Sequence, residues 1–108
     1  MQEDDIQRVG WCDVELDAIS WTNEGRDLTF SVQFPDTPLV PNPRMTLHCR
    51  WASGLRVNVT RRENVGGHLL TWAVTFERTD GGWMLKFDFA GDGHISLRCS
   101  AIELIATS

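Results

Sequence analysis

The most regular feature of the chain is an alternation of apolar and polar residues with a period of two. Leu28, Phe30, Val32 and Phe34 are separated by single polar residues. This pattern is typical of a β-strand that buries one face and exposes the other to water. Six further segments follow the same alternation and predict six further strands, at residues 14–21, 45–51, 55–59, 70–76, 83–89 and 95–101.

Two of these runs contain a shift in the apolar phase. The shifts fall at Ala18-Ile19 in the first run and at Ala101-Ile102 after the last one. A shift of this kind indicates a β-bulge or the end of a strand. No segment has a strong helical period, and a weak one at residues 4–9 predicts that residues 1–12 are flexible or form a short helix.

Glycine-containing segments separate the alternating runs and predict tight turns. They are Asn23-Glu24-Gly25, Ala52-Ser53-Gly54, Asp80-Gly81-Gly82 and Gly91-Asp92-Gly93. Glycine supplies the positive φ that such turns need, so each segment is expected to join antiparallel neighbours in a hairpin. Residues 35–43 contain all four prolines, which cannot continue a central strand and predict an extended connection.

Short strands separated by frequent turn signals are typical of all-β domains. The predicted fold is therefore a single antiparallel β-sandwich or flattened barrel of about seven strands, with mostly meander connections, over residues 1–108. Eight aromatic residues lie on the apolar faces and form the predicted core: Phe30, Phe34, Trp51, Trp72, Phe76, Trp83, Phe87 and Phe89. Trp11 and Trp21 lie outside the alternation and are expected to be partly exposed.

Composition narrows the class of protein. A hydrophobic content of 42% is that of a globular domain rather than a disordered chain. No segment approaches the roughly 18 consecutive apolar residues of a membrane span, and Met1-Gln2-Glu3-Asp4-Asp5 does not resemble a signal peptide. These features predict a cytoplasmic protein. Three cysteines without paired spacing favour neither a disulfide framework nor a zinc ribbon.

The net charge of −5 is unevenly distributed along the chain. Residues 1–36 contain nine acidic and two basic side chains, whereas residues 44–62 contain five arginines and no acid. A sequence pI of about 5.0 argues against direct nucleic-acid binding, which needs a basic surface. Asp13, Glu15 and Asp17 are predicted to point outward from the first strand, where they could meet a basic partner.

The arginine-rich segment is the second candidate surface. If Ala52-Ser53-Gly54 closes a hairpin, Arg50 lies directly opposite Arg56, and such a pair is destabilising unless an anion lies between them. Arg61 and Arg62 would follow toward the other end of the same hairpin. This face could receive acidic groups of another protein, or phosphates. The alternative is internal neutralisation by acidic residues of a neighbouring strand.

The sequence predicts no catalytic residue, no metal site and no cofactor. His48 and Cys49 are adjacent on a predicted strand, so their side chains point to opposite faces. Ser53 lies at a hairpin tip with no histidine at a recognisable spacing. An enzyme would become the better interpretation if His68, His94 and Asp92 clustered in one pocket. Cys49 and Cys99 both point inward and could form a disulfide only if their strands were adjacent.

In its succession of alternating apolar and polar segments over residues 13–104, the chain resembles the small all-β immunity proteins of bacterial toxin systems and related uncharacterised bacterial β-domains. The features that support the resemblance are the segments 13–21, 25–34, 45–51, 82–89 and 95–104. The resemblance implies a non-enzymatic protein that neutralises a partner by binding it, and it implies no particular functional residue.

We therefore expect a non-catalytic inhibitor or immunity-type protein that recognises a protein partner, either a toxin or a defence component. One alternative is a small-ligand-binding β-barrel with a cavity lined by Trp and Phe. Another is a phage-type inhibitor of a host defence complex. A homodimer formed through an exposed sheet edge stays open, as does the role of residues 35–43.

Overall fold

Nine strands, a short α-helix and a 3-10 helix at Ala90–Asp92 make up the regular structure of the described residues. The structure is a computed structural model, and it describes residues 3–59 and 69–107. The elements are α1 (Glu3–Ile6), β1 (Glu15–Thr22), β2 (Asp27–Gln33), β3 (Arg44–Arg50), β4 (Ser53–Val59), β5 (Leu69–Leu70), β6 (Ala73–Thr79), β7 (Gly82–Asp88), β8 (Gly93–Cys99) and β9 (Ala101–Ala106).

The strands form two antiparallel sheets that pack as a sandwich. The five-stranded sheet has the order β5-β1-β2-β3-β9, and the four-stranded sheet has the order β4-β8-β7-β6. The predicted sandwich is confirmed, and over residues 3–59 and 69–107 the two sheets do not close into a barrel. The enclosed barrel that the small-ligand alternative required is therefore not formed.

The chain changes sheets at points where the sequence predicted continuous strands or hairpins. β1-β2-β3 and β6-β7-β8 are meanders, as predicted, but the chain passes between the sheets at Trp51-Ala52, Thr71-Trp72 and Ser100. The run at residues 70–76 is thereby divided between β5 and β6. The phase shift at Ala101-Ile102 lies where β9 begins in the other sheet, and the shift at Ala18-Ile19 accompanies an irregular register between Leu16 and Ala18.

Three of the four predicted hairpins are confirmed by the strand pairing. The turns at residues 23–25, 80–82 and 91–93 join β1 to β2, β6 to β7 and β7 to β8. The fourth prediction is wrong, because Ala52-Ser53-Gly54 leads from β3 into the opposite sheet and β4 pairs with β8. Residues 35–43 connect β2 to β3, as expected, and Phe34 N–H donates to the Pro43 carbonyl at 2.7 Å.

Aromatic side chains from both sheets fill the space between them. Phe30 of β2 stacks on Phe87 of β7 with ring centroids 4.7 Å apart. Trp11 lies beside Phe34 at 5.0 Å and Phe76 at 5.4 Å. The expectation that Trp11 is partly exposed is therefore wrong: the ring is buried and its indole Nε1 donates to the Ile6 carbonyl at 2.8 Å.

Two tryptophans that were predicted in the core lie on the surface instead. Trp51 is 62% exposed and Trp72 is 68% exposed. Each lies where the chain changes sheets, so the backbone turns and the alternation of the preceding run no longer determines its side. Trp21 is partly exposed, as predicted, and Trp83 is buried in the core.

The N-terminal segment packs onto the sandwich. The short helix predicted near residues 4–9 is present as α1, and Ile6 is fully buried. The Glu3 carboxylate accepts a hydrogen bond from Trp83 Nε1 and lies 3.9 Å from the Arg78 guanidinium. No helix within residues 3–59 and 69–107 is long and apolar enough to cross a membrane.

The three cysteines are free thiols. Cys12 is exposed, whereas Cys49 of β3 and Cys99 of β8 are buried between the two sheets. A hydrogen bond to Cys99, together with burial, raises the pKa of the Cys49 thiol well above its ordinary value. The two residues are therefore neighbours across the interior, although their strands do not pair.

Candidate functional site

The buried carboxylate of Asp27 organises one end of the sandwich. Asp27 is the first residue of β2, and its Oδ1 accepts a hydrogen bond from the Trp51 backbone N–H at 3.0 Å. Its Oδ2 accepts from the Asn23 side-chain amide and lies 2.8 Å from His48 Nε2. Because an ionised carboxylate only accepts, the His48 ring donates. The bonds from Trp51, Asn23 and His48, in that order of importance, lower the pKa of Asp27 to about 2.

This arrangement holds the chain in place and lacks the parts of a nucleophilic site. A depression of about 320 Å³ lies over Asp27 and is lined by Asn23, Arg26, Asp27, His48, Arg50 and Trp51. None of these side chains is a serine, cysteine or lysine that His48 could activate. The Asp27 carboxylate joins the turn before β2 to the end of β3.

Trp51 is held in an unusual backbone conformation by its neighbours. Its φ is 53°, in the left-handed region that a bulky residue rarely adopts. Besides the bond to Asp27, Ala52 N–H donates to the Arg26 carbonyl at 2.8 Å. On the other side, Ser100 N–H donates to the Arg50 carbonyl at 2.8 Å. The indole is therefore presented to solvent by a fixed backbone.

Two arginines line the first depression together with the exposed indole. The Arg26 guanidinium lies over the Trp51 ring, 5.3 Å from its centroid, and Arg26 Nε donates to the Asn23 carbonyl at 3.0 Å. Arg50 lies 3.8 Å from the Glu103 carboxylate, and both side chains are about half exposed. A pair at this distance and exposure contributes little to stability, so Arg50 can exchange its partner at low cost.

A second depression lies on the other side of Trp51. It has a volume of about 430 Å³ and runs along the β6–β7 turn and the end of β8. Asp80, Trp83, Arg98 and Ser100 are among its lining residues. Trp51 is thus a ridge between two depressions. We call the ridge, the two arginines Arg26 and Arg50, and the two depressions the Trp51 surface.

Of the arginines predicted to share one face, the structure places Arg50 and Arg56 in different sheets. Arg50 in β3 pairs with Ala101, and Arg56 in β4 pairs with Ser96 in the other sheet. The prediction that Arg50 and Arg56 lie opposite each other is therefore wrong, because residues 52–54 cross between the sheets instead of closing a hairpin. Arg61 and Arg62 lie outside the described residues.

The three acidic residues of the first strand do not form one outward row. Asp13 precedes β1 and has a φ of 61°, and its N–H donates to the Thr71 carbonyl. Glu15 is half-buried between β2 and β5, where it pairs with Gln33 and Leu70. Asp17 is exposed at the β-bulge. The register irregularity between Leu16 and Ala18 interrupts the regular alternation at Asp17.

The part of the chain that the structure describes contains no group of three or more His, Cys, Asp or Glu residues that could hold a metal ion. His48 and Cys49 point to opposite faces of β3, as predicted: His48 is bonded to Asp27 and Cys49 is in the core. His94 lies on β8 opposite Asp88, and His68 lies outside the described residues.

Sequence inspection missed Asp27, His48 and Arg26 as members of one site. Asp27 and His48 are 21 residues apart and come together only because β2 pairs with β3 in the observed register. The segment Asn23 to Asp27 did contain a local signal, because Asn and Asp around a glycine turn often bond to nearby backbone. No local pattern in the sequence indicated that the Trp51 side chain would be exposed.

The chain matches no protein-family model and no curated protein. Among solved structures, it is similar to an uncharacterized protein from Neisseria gonorrhoeae, with a TM-score of 0.66 and 16% sequence identity. The match covers 88% of this chain and 92% of that chain. At this identity, the similarity supports the sandwich fold and carries no information on function.

Proposed function

We propose that this protein is a non-catalytic inhibitor or immunity-type protein, which neutralises a protein partner by binding it through the Trp51 surface. The observation that carries the proposal is the exposed indole of Trp51, fixed by the Asp27 carboxylate in a left-handed conformation. Strained residues persist where the surrounding structure enforces them, and such positions are frequent at binding sites.

The composition of this surface is that of a recognition hot spot. Tryptophan and arginine are enriched among the residues that contribute most to protein–protein binding. An indole held in place before binding loses little conformational freedom on association, which favours affinity. Depressions on both sides of Trp51 provide room for side chains of a partner.

The charge of the surface favours an acidic partner. Arg26 and Arg50 line the first depression together with Trp51, and Arg98 lines the second depression. Guanidinium groups form paired hydrogen bonds with carboxylates, and opposite potentials accelerate association. The alternative face, with Asp13, Glu15 and Asp17, is supported less well because Asp13 lies outside β1 and Glu15 is half-buried.

Capture of partners from the native host tests the proposal. The bait is the full chain with Arg26→Glu and Arg50→Glu, compared with the unchanged chain and with a control bearing Arg8→Glu and Arg44→Glu. Arg8 and Arg44 are exposed and form no ion pair within the described part of the chain, so the control has the same net charge.

A stoichiometric partner that is retained by the control and lost with the Arg26/Arg50 variant supports the proposal. The captured amount should also fall as salt is raised, because exposed charge pairs are screened. Equal capture by both variants contradicts recognition at the Trp51 surface. Loss of capture only on reversal of Asp13 and Asp17 would favour the acidic face instead.

A further inference from the structure

The outer face of the four-stranded sheet contains a further groove, which shares Ser53 and Arg98 with the second depression of the Trp51 surface. The strand β4 has one extra residue relative to β8 between the pairs Ser53–Arg98 and Arg56–Ser96. Such a bulge bends the strand and opens the surface locally. The groove beside it has a volume of about 520 Å³.

Two arginines and two serines surround this groove. Arg56 lies opposite Ser96, and Arg98 lies opposite Ser53, so all four side chains project from the same face of the sheet. Both arginines are exposed. Residues at diagonal positions on neighbouring strands lie about 7–8 Å apart, within reach of long side chains. The two guanidinium groups can therefore approach one ligand together.

Among the described residues, no acidic side chain is paired with these two arginines. Neither Arg56 nor Arg98 forms an ion pair within residues 3–59 and 69–107. The cross-strand partners of Arg98 are Ser53 and Met84, and the partner of Arg56 is Ser96. Two neighbouring cations without a counter-charge repel each other, and an anion between them removes that repulsion.

We propose that this groove is an oxyanion-binding site whose ligand is a phosphate group. One guanidinium group can donate hydrogen bonds to both oxygens of a planar carboxylate. A phosphate has three free oxygens and a charge near −2, so it can accept bonds from two guanidinium groups and from the serine hydroxyls together. Lys86 lies opposite Ser96 on β7 and adds positive potential at the edge of the site.

The site is tested by titrating inorganic phosphate into the full chain, with amide chemical shifts and heat of binding as readouts. Sodium chloride keeps the ionic strength constant, and acetate serves as the carboxylate for comparison. We expect saturable binding with a dissociation constant below about 1 mM, and shift changes centred on Ser53, Arg56, Ser96 and Arg98. Acetate should bind more weakly.

The variants Arg56→Gln and Arg98→Gln should each weaken phosphate binding by about tenfold or more. Arg44→Gln, on the outer face of the other sheet, removes the same charge and should leave binding unchanged. Equal effects of all three substitutions, or shifts spread over the whole surface, would overturn the proposal. So would the absence of saturation.

A second titration distinguishes the two sources of the phosphate group. A phosphoserine peptide and its unphosphorylated form are added to the same protein. Binding of the phosphorylated peptide through Arg56 and Arg98 indicates a phosphorylated protein ligand, whereas binding of inorganic phosphate alone indicates a free phosphate. Either result supports the site. Arg56 lines neither depression of the Trp51 surface, so the effect of Arg56→Gln separates this site from the capture experiment.

Discussion

At the scale of single residues, Asp27 holds the Trp51 surface together through its hydrogen bonds. Its carboxylate fixes the Trp51 backbone directly and His48 through the ring nitrogen. A carboxylate that accepts several hydrogen bonds in the folded state is stabilised in its ionised form. Stability and presentation of the indole are thereby coupled through one side chain.

The pH dependence of unfolding tests this role of Asp27. The folded pKa of about 2 lies below the ordinary value of 3.8, so the unfolded chain takes up the proton first as the pH falls. The stabilisation by the ionised Asp27 carboxylate is complete above pH 3.8 and is lost as the pH falls toward 2. Urea unfolding at several pH values should show Asp27→Asn less stable than the unchanged chain at pH 7, with a difference that shrinks in acid.

The matched control for this measurement is Asp36→Asn, in the proline-rich connection. Asp36 is exposed and forms no hydrogen bond within the described residues, so its replacement should have little effect at any pH. A stability difference for Asp27→Asn that is the same at pH 7 and in acid would contradict the assigned role.

At the scale of elements, the junctions between strands restrict the choice of residue more than the strands do. Gly93 opens β8 with a φ of 111°, and a Cβ there would overlap the carbonyl oxygen of Asn58 in β4. The pairing of β4 with β8 therefore requires glycine at this position. The same pairing forms the groove between Arg56 and Arg98.

Substitution of Gly93 by alanine should destabilise the protein by about 3 kcal/mol or more, because backbone strain and a backbone clash act together. Gly91→Ala is the control, since nothing lies within 4 Å of a Cβ at that position. It should change stability by less than about 1 kcal/mol. Urea unfolding followed by tryptophan fluorescence measures both variants, and similar losses for the two would contradict the assignment.

The sequence predicted the strands well and the junctions between the sheets poorly. Alternation located the strands and the phase shifts, because side-chain direction repeats locally along each strand. It failed at Trp51 and Trp72, where the chain changes sheets. The prediction that Arg50 lies opposite Arg56 was wrong for the same reason. Strand pairing depends on contacts between distant parts of the chain, and local periodicity does not determine them. The site around Asp27 depends on that pairing and was therefore not predicted.

At the scale of the whole molecule, the two sheets enclose an interior that includes two thiols. Cys49 is fully buried and Cys99 is 6% exposed, whereas Cys12 lies at the surface. Cys49 is enclosed between the sheets and Cys99 is nearly so at the edge of the second depression, so both should react far more slowly than Cys12 until the sandwich opens.

A thiol-reactive chromophore should therefore label one cysteine per chain in the native protein and all three in urea. Raising the pKa of the Cys49 thiol slows its reaction further, because the thiolate is the reactive form. In Cys12→Ser, rapid labelling of the native protein should disappear. Rapid native labelling of two or three thiols would contradict the packed interior.

The most direct test of the central claim is the affinity for the captured partner after removal of the Trp51 indole. The measurement is isothermal titration of that partner with the unchanged chain, Trp51→Ala and Trp72→Ala. Trp72 is the matched control, since its indole is exposed at a junction between the sheets and lines neither depression of the Trp51 surface. We predict a dissociation constant raised about 30-fold or more by Trp51→Ala and little changed by Trp72→Ala. Unchanged affinity with Trp51→Ala would contradict recognition through the Trp51 surface.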